Sequence, residues 1–207
     1  MIATCAISCS KFLDRDPLGQ TTQDKFFNSE TNANAAVLGM YRTMMNSYSF
    51  GQSIIVVPEF SAVHVRHSAS FPEYQNFSEH KIQAINPWIA NMWQAVYTTI
   101  NAANQVIEEV PKMTETMISE DKKNIFVGEA KFIRALHYFF LVRAFNKAPL
   151  KLSYTKEGDN IDIAESDKAA LYTQIVKDLT DAISALPIEN PNTGDAAKGR
   201  ASHRGGC

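Results

Sequence analysis

The sequence predicts a mainly α protein built from paired helices, and three observations carry that prediction. Four long segments place apolar residues at the 3.6-residue period of a helix. Each opens at a residue that can cap a helix N-terminus, and prolines stand just past the last three, at Pro111, Pro149 and Pro187. The connections between the second, third and fourth segments are short or medium in length. Helices of this kind suggest hairpins stacked as in a tetratricopeptide-like helical solenoid, although no strict 34-residue consensus repeats along the chain.

Residues 10–22 read as an extended tether containing Pro17 and Gly19. Ser29 then caps a helix to about Tyr48, with Ala33, Val37, Tyr41, Met44 and Met45 at helical spacing. Residues 49–86 show no clear helical period. "SIIVV" allows a short strand, and Pro58 and Pro72 bound what reads as a long irregular loop rich in aromatic and polar residues. The second helix starts at Asn86 with Pro87 in its first turn, where the missing N–H costs nothing. It shows a face of Ile89, Trp93, Val96, Tyr97, Ile100, Asn104 and Ile107.

Ser119 caps the third helix, which runs to about Phe145 and contains "GEAKFIRALHYFFLVRAFNKAPL". Its apolar residues point nearly all the way round, so it must be an inner helix or a membrane span. Glu129, Lys131, Arg134 and Arg143 exclude the span, because each charge is costly in hydrocarbon. An inner helix needs neighbours on both sides, and one of them is expected to be missing from this chain. Glu129 lies in the most apolar arc and needs a donor from another helix. Ser166 or Asp167 starts the fourth helix, in which Leu171, Ile175, Leu179 and Ile183 recur at i,i+4 spacing.

The 207 residues suffice for a real core, and 45% hydrophobic with 20% charged residues is ordinary globular composition. With 20 basic and 22 acidic residues there is no electrostatic footprint for nucleic acid. Cys5, Cys9 and Cys207 sit at the ends, which argues against a disulfide framework or a zinc site in the body. "MIATCAISCSKFLDRDP" fits the tail of a lipoprotein signal, with Ser8 before Cys9; it fits equally an ordinary ragged N-terminus. "GDAAKGRASHRGGC" reads as a flexible tail or as the point where a reading frame broke.

Several segments, in order, resemble the SusD-like (SusD/RagB) family of outer-membrane nutrient-binding lipoproteins. "CSKFLDRDP" resembles the family's mature start. "WQAVYTTINAANQVIEEV" is similar to its Trp-x-x-x-Tyr-x-x-Ile-x-x-Ala-Asn helix, and residues 128–150 to its Gly-Glu-Ala-x-Phe-x-Arg-Ala-x-x-Tyr-Phe helix and following Pro-Leu. "LYTQIVKDLTDAISALP" resembles Tyr-x-x-Ile-x-x-Asp-Leu-x-x-Ala, and "GRAS" the Gly-Arg-Ala before the next repeat helix. Two departures stand out. Asn146-Lys147-Ala148 replaces the usual Gly turn, which Asn can make in the left-handed conformation. "SHRGGC" replaces an Ala-rich helix.

The resemblance implies a surface-exposed lipoprotein of the outer membrane, lipidated at Cys9. It would bind oligosaccharide or peptide and work with a SusC-like TonB-dependent transporter. It implies further that residues 1–22 are a signal remnant and tether, 23–200 an incomplete N-terminal α-helical domain, and 201–207 an aberrant tail. An alternative of another class is a soluble helical-repeat adaptor holding a peptide or partner protein.

No Ser-His-Asp order, phosphate-cradling glycine loop or metal motif is present, so no catalytic residue, metal or cofactor is expected. His64 and His67 stand three apart with no third ligand and read as a loop pair. Glu108 and Glu109 end a surface helix. The segment 64–88 is the candidate ligand site: His64, Arg66, Phe71, Tyr74, Phe77 and Trp88 combine aromatic planes, on which sugar C–H faces pack, with hydrogen-bonding groups. The competing structural reading is that Phe71, Tyr74 and Phe77 pin the segment to the core.

Overall fold

The structure is a computed structural model and describes residues 23–62, 65 and 71–188. Cys9, His64, Arg66, the Gly199-Arg200-Ala201 motif and the tail at 201–207 lie outside the described residues. Within them the protein is mainly α. A short α1 (Gln23–Phe26) leads into α2 (Glu30–Met44), capped by Ser29, whose hydroxyl accepts from the Asn32 amide at 3.3 Å. The long α5 (Pro87–Glu109), α6 (Glu120–Phe145) and α7 (Lys168–Ala185) follow, capped by Asn86, Ser119 and Asp167. Each cap side chain accepts a backbone N–H that the first turn would otherwise leave orphaned.

The long helices stack in chain order, α2 on α5, α5 on α6 and α6 on α7, which is the tetratricopeptide-like arrangement expected of paired helices. One apolar core lies between α2, α5 and the first half of α6, around Val37, Met40, Val106, Phe126 and Ile133. A second lies between α5, the second half of α6 and α7, around Val96, Ile100, Tyr138, Leu141, Leu171 and Ile175. The centre of α6 serves both, and it also packs Ile125 and Phe132 toward Ala182 and Leu186. That is why this helix is apolar nearly all round. Among its large apolar residues Phe139 alone is classed as exposed, at 40%, so the uncovered apolar surface is on α7 and not chiefly on α6. Among the described residues no helix is long and apolar enough to cross a membrane.

Residues 146–167 form a long connection between α6 and α7. Asn146 ends α6 in the left-handed conformation (φ 65°), as its short polar side chain permits. A two-residue antiparallel ladder then joins β1 (Ala148–Pro149) to β2 (Glu165–Ser166).

The segment at 49–86 departs from the sequence expectation. Its described residues do not form one long irregular loop, and "SIIVV" is not a strand. A π-helical turn (Ser47–Gly51), α3 (Ser53–Ser61) and α4 (Pro72–Ser78) occupy much of it. Ser53 and Val56 are buried while Val57 and Phe60 are partly so, a helical i, i+3, i+4, i+7 pattern. The pattern is hidden because Ser53 is polar, the run is β-branched and Pro58 sits inside the helix. Burial against Trp88 and Phe77 overrides those local preferences.

Candidate ligand-binding surface

Among the sequence-predicted site residues, four are described, and the structure brings all four together. Pro87 and the Asn86 cap start α5 so that Trp88 falls in its first turn, facing α3 and α4. Asn86 also ties the two elements, accepting from the Trp88 amide at 2.9 Å and donating from Nδ2 to the Glu73 carbonyl at 3.1 Å. The Trp88 ring is buried and its Nε1 donates to the Ser53 hydroxyl at 3.1 Å. Tyr74 meets Trp88 edge-on at 4.9 Å and stacks on Phe60 at 5.5 Å. Phe71 lies 5.8 Å from Tyr74.

Within this group the roles divide by exposure. Phe77 has no accessible surface and Trp88 almost none, so both act as pins that hold α3, α4 and α5 together. Phe71 is 51% exposed and Tyr74 partly so. These two are the aromatic faces offered to solvent. Burial, with the nearby Glu73 carboxylate and Tyr48, raises the Tyr74 phenol above its ordinary value against the lowering effect of a bond with Gln52. It therefore stays a neutral donor and acceptor at any physiological pH.

Tyr48 extends the group in a direction that the sequence reading did not take. Its ring meets Trp88 at 4.8 Å, and it also lines an open groove of about 830 Å³ between the C-terminal end of α2, the π-helical turn and α5. Asn91, Gln94 and Thr98 line the α5 side, at i, i+3 and i+7 of one helix face. Arg42 and Asn46 line the other side, and among the described residues no carboxylate contributes to the walls. Among the described residues the Arg42 guanidinium and the Asn91 and Gln94 amides have no hydrogen-bond or ion-pair partner. Asn46 uses only its oxygen, accepting from the Tyr48 amide at 2.9 Å. The sequence signal was present as Asn91, Gln94 and Thr98 at helical spacing on the polar side of the helix. What could not be read was that α2 ends opposite it.

Behind the groove the π-helical turn is anchored in the core. Gly51 closes it with a space so narrow that an added Cβ would lie 2.4 Å from the Met45 carbonyl oxygen. Ser49 is buried there, its hydroxyl 3.3 Å from Nε2 of the buried His137. His137 Nδ1 donates to the Ile133 carbonyl at 2.7 Å, so Nε2 accepts from the hydroxyl. Desolvation pushes this imidazole down to about 4, although the Ile133 contact opposes the shift. Among the described residues no group of three or more His, Cys, Asp or Glu could hold a metal ion.

Comparison with known proteins places this arrangement in context. A SusD-like family profile, described as starch-binding and associating with the outer membrane, matches residues 11–202. A SusD-like protein of Bacteroides ovatus is 27% identical over 206 residues, covering 96% of this chain and 37% of its own. A laminarin-binding SusD-like protein of known structure is 30% identical, with a TM-score of 0.69 over 85% of this chain and 38% of the other. A SusD homologue from Bacteroides thetaiotaomicron superposes with a TM-score of 0.72 at 20% identity, over 91% of this chain and 36% of that one, a likeness of fold. The chain thus spans less than two-fifths of the length of the curated relatives it matches. With the family profile covering nearly all of its residues and the helix stack superposing on solved relatives, the chain belongs to the SusD-like family.

Proposed function

We infer that the protein binds oligosaccharide at the cell surface and hands it to a SusC-like TonB-dependent transporter of the outer membrane. Its binding unit is the α-helical domain assigned to 23–200, held to the membrane by lipid on Cys9. The observation that carries the reading is the aromatic edge of Phe71 and Tyr74, continuous through Trp88 and Tyr48 with a groove of unpaired amides. Sugar rings need an apolar plane for their C–H faces and hydrogen-bonding groups for their hydroxyls, and this surface supplies both side by side. The laminarin-binding relative supports a glycan as the ligand. His64 and Arg66, in the segment between α3 and α4, are assigned as further polar contacts to the same ligand.

Calorimetric titration with laminari-oligosaccharides tests the reading. Phe71→Ala and Tyr74→Ala should each weaken binding by about 5- to 10-fold, on the order of 1 kcal/mol for a lost aromatic platform. Wild-type affinity in both variants would move the site elsewhere, and failure to bind any glycan would remove the reading. Palmitate labelling in the native host that persists in Cys9→Ala would sink the anchor assignment. Co-purification of a TonB-dependent transporter with the tagged chain tests the partner.

A further inference from the structure

The groove beside the aromatic edge has a donor–acceptor balance that a site for uncharged sugar does not require. A neutral glycan offers hydroxyls that both donate and accept, and carboxylates are well suited to take the donated protons. Here no carboxylate of the described residues lines the walls, while a guanidinium and three side-chain amides do. Arg42 has no acidic partner among the described residues, although Asp and Glu are as common in the chain as Lys and Arg. A planar five-donor fork left open in a groove matches an oxyanion better than it matches a hydroxyl.

We propose that this groove is a subsite for an anionic sugar unit, with Arg42 binding its charged oxygens; the proposal rests on the glycan-binding reading above. Asn91, Gln94 and Thr98 lie along α5 to take hydroxyls of the same unit, and the Asn46 NH2 is free to donate from the opposite wall. Tyr48 belongs to both the groove and the aromatic group, so one oligosaccharide can run from the Phe71–Tyr74 edge to Arg42. The shared chemistry is an oxyanion carried on a sugar, whether a uronate carboxylate or a sulfate ester. The chain's net charge of −2 opposes general adsorption of polyanions, so attraction has to come from a local site.

The test is calorimetric titration of the full chain with three probes: oligogalacturonate, a sulfated galactan oligosaccharide and a laminari-oligosaccharide. At least one anionic probe is expected to bind, more weakly at about 300 mM than at about 50 mM salt because the groove is open to screening. Arg42→Gln should weaken that binding by about tenfold or more and Arg42→Lys by less, and both should weaken laminari-oligosaccharide binding much less than they weaken binding of the anionic probe. Arg42 is exposed, so both variants should melt with the wild type, which separates a lost contact from a lost fold. The anionic probe that binds identifies the source of the charge. Binding of laminari-oligosaccharide alone overturns the proposal and leaves the glycan reading standing. Absence of binding to all three probes takes both down. An Arg42→Gln variant within about twofold of wild type on the anionic probe also overturns it.

Discussion

Arg134 explains why the residues that make the family resemblance legible are not the ones that line the candidate site. Its guanidinium grips Asp178 of α7 through Nε (2.8 Å) and Nη2 (2.7 Å), while Nη1 donates to Asn104 of α5 at 2.8 Å. Asn104 in turn donates to the Lys151 and Ser153 carbonyls at 3.0 and 3.1 Å, and the Tyr138 hydroxyl donates to Lys151 O at 2.7 Å. Asn104, Arg134, Tyr138 and Asp178 are all motif positions, and together they fasten the connection after α6 across three helices. The pair is almost fully enclosed, so deleting one member leaves a buried charge rather than merely losing an attraction. Arg134→Met should therefore cost about 3–5 kcal/mol in urea unfolding, and a loss under about 1 kcal/mol would show that water reaches Asp178. His137 sets a different dependence, on pH. Its folded value of about 4 lies below the unfolded one near 6.5, so folding favours the neutral ring. That contribution is complete above about 6.5 and drains as pH falls toward 4, by up to about 3 kcal/mol, because the unfolded chain then binds the extra proton. His137→Gln should lose stability at neutral pH yet flatten the fall in urea midpoint across that window. A variant as acid-sensitive as the wild type would assign the lability to other groups.

Between α6 and α7, packing depends on a place where a side chain is missing. Gly128 of α6 lies against the end of α7, where an added Cβ would sit 2.9 Å from the Ala185 Cβ and 3.3 Å from Leu186 Cδ2. The Ala185 Cβ is fixed to backbone, so the last turn of α7 would have to move. Overpacking of this kind costs about 1–3 kcal/mol, against a gain of about 1 kcal/mol in helix propensity. Gly128→Ala should thus destabilise by about 1 kcal/mol net, and Ala185→Gly in the same chain should recover part of it; strict additivity of the two would place the helices further apart. The four long helices were readable because each shows a cap and a sustained period; the last three also show a stop, whereas α2, which has none, was expected to reach about Tyr48 and ends at Met44. Helix α6 even announced its inner position by being apolar all round. The helices α3 and α4 were not readable, since their short runs are too brief to show a period and Pro58 and the β-branched residues argue locally against it. What forms them is contact with Trp88, an interaction at long sequence distance that no local pattern records. The same holds for the site: aromatic residues at 71 and 74 stood out by composition, whereas Arg42 and Gln94 become neighbours only when α2 and α5 pack.

A stack of helix pairs has ends, and an end exposes whatever face the next pair would cover. In this molecule that face runs along α7 and the adjoining turn of α6. Val176 is 61% and Ile183 43% exposed at i and i+7, and Tyr172, one turn before Val176, meets the exposed Phe139 ring at 6.4 Å. The inward side of the same helix buries Leu171, Ile175 and Ala182, so α7 is apolar on two sides and has protein on one. Arg143 over Phe139 (5.6 Å) and Lys168 over Tyr172 (5.9 Å) cover only the margin of the stripe. The sequence reading put such an uncovered surface on α6, because i,i+4 spacing alone does not reveal which apolar side of each helix is already occupied. The purified chain should bind a hydrophobic dye and self-associate as its concentration rises. Val176→Ser together with Ile183→Ser should reduce both while leaving the melting temperature within a few degrees, since neither side chain is part of the core and the helix propensities are similar. Fluorescence titration and sedimentation of the two proteins side by side separate the cases. Unchanged dye binding would mean that the α7 stripe is not the adhesive face, and a large drop in melting temperature would mean that it is covered in solution.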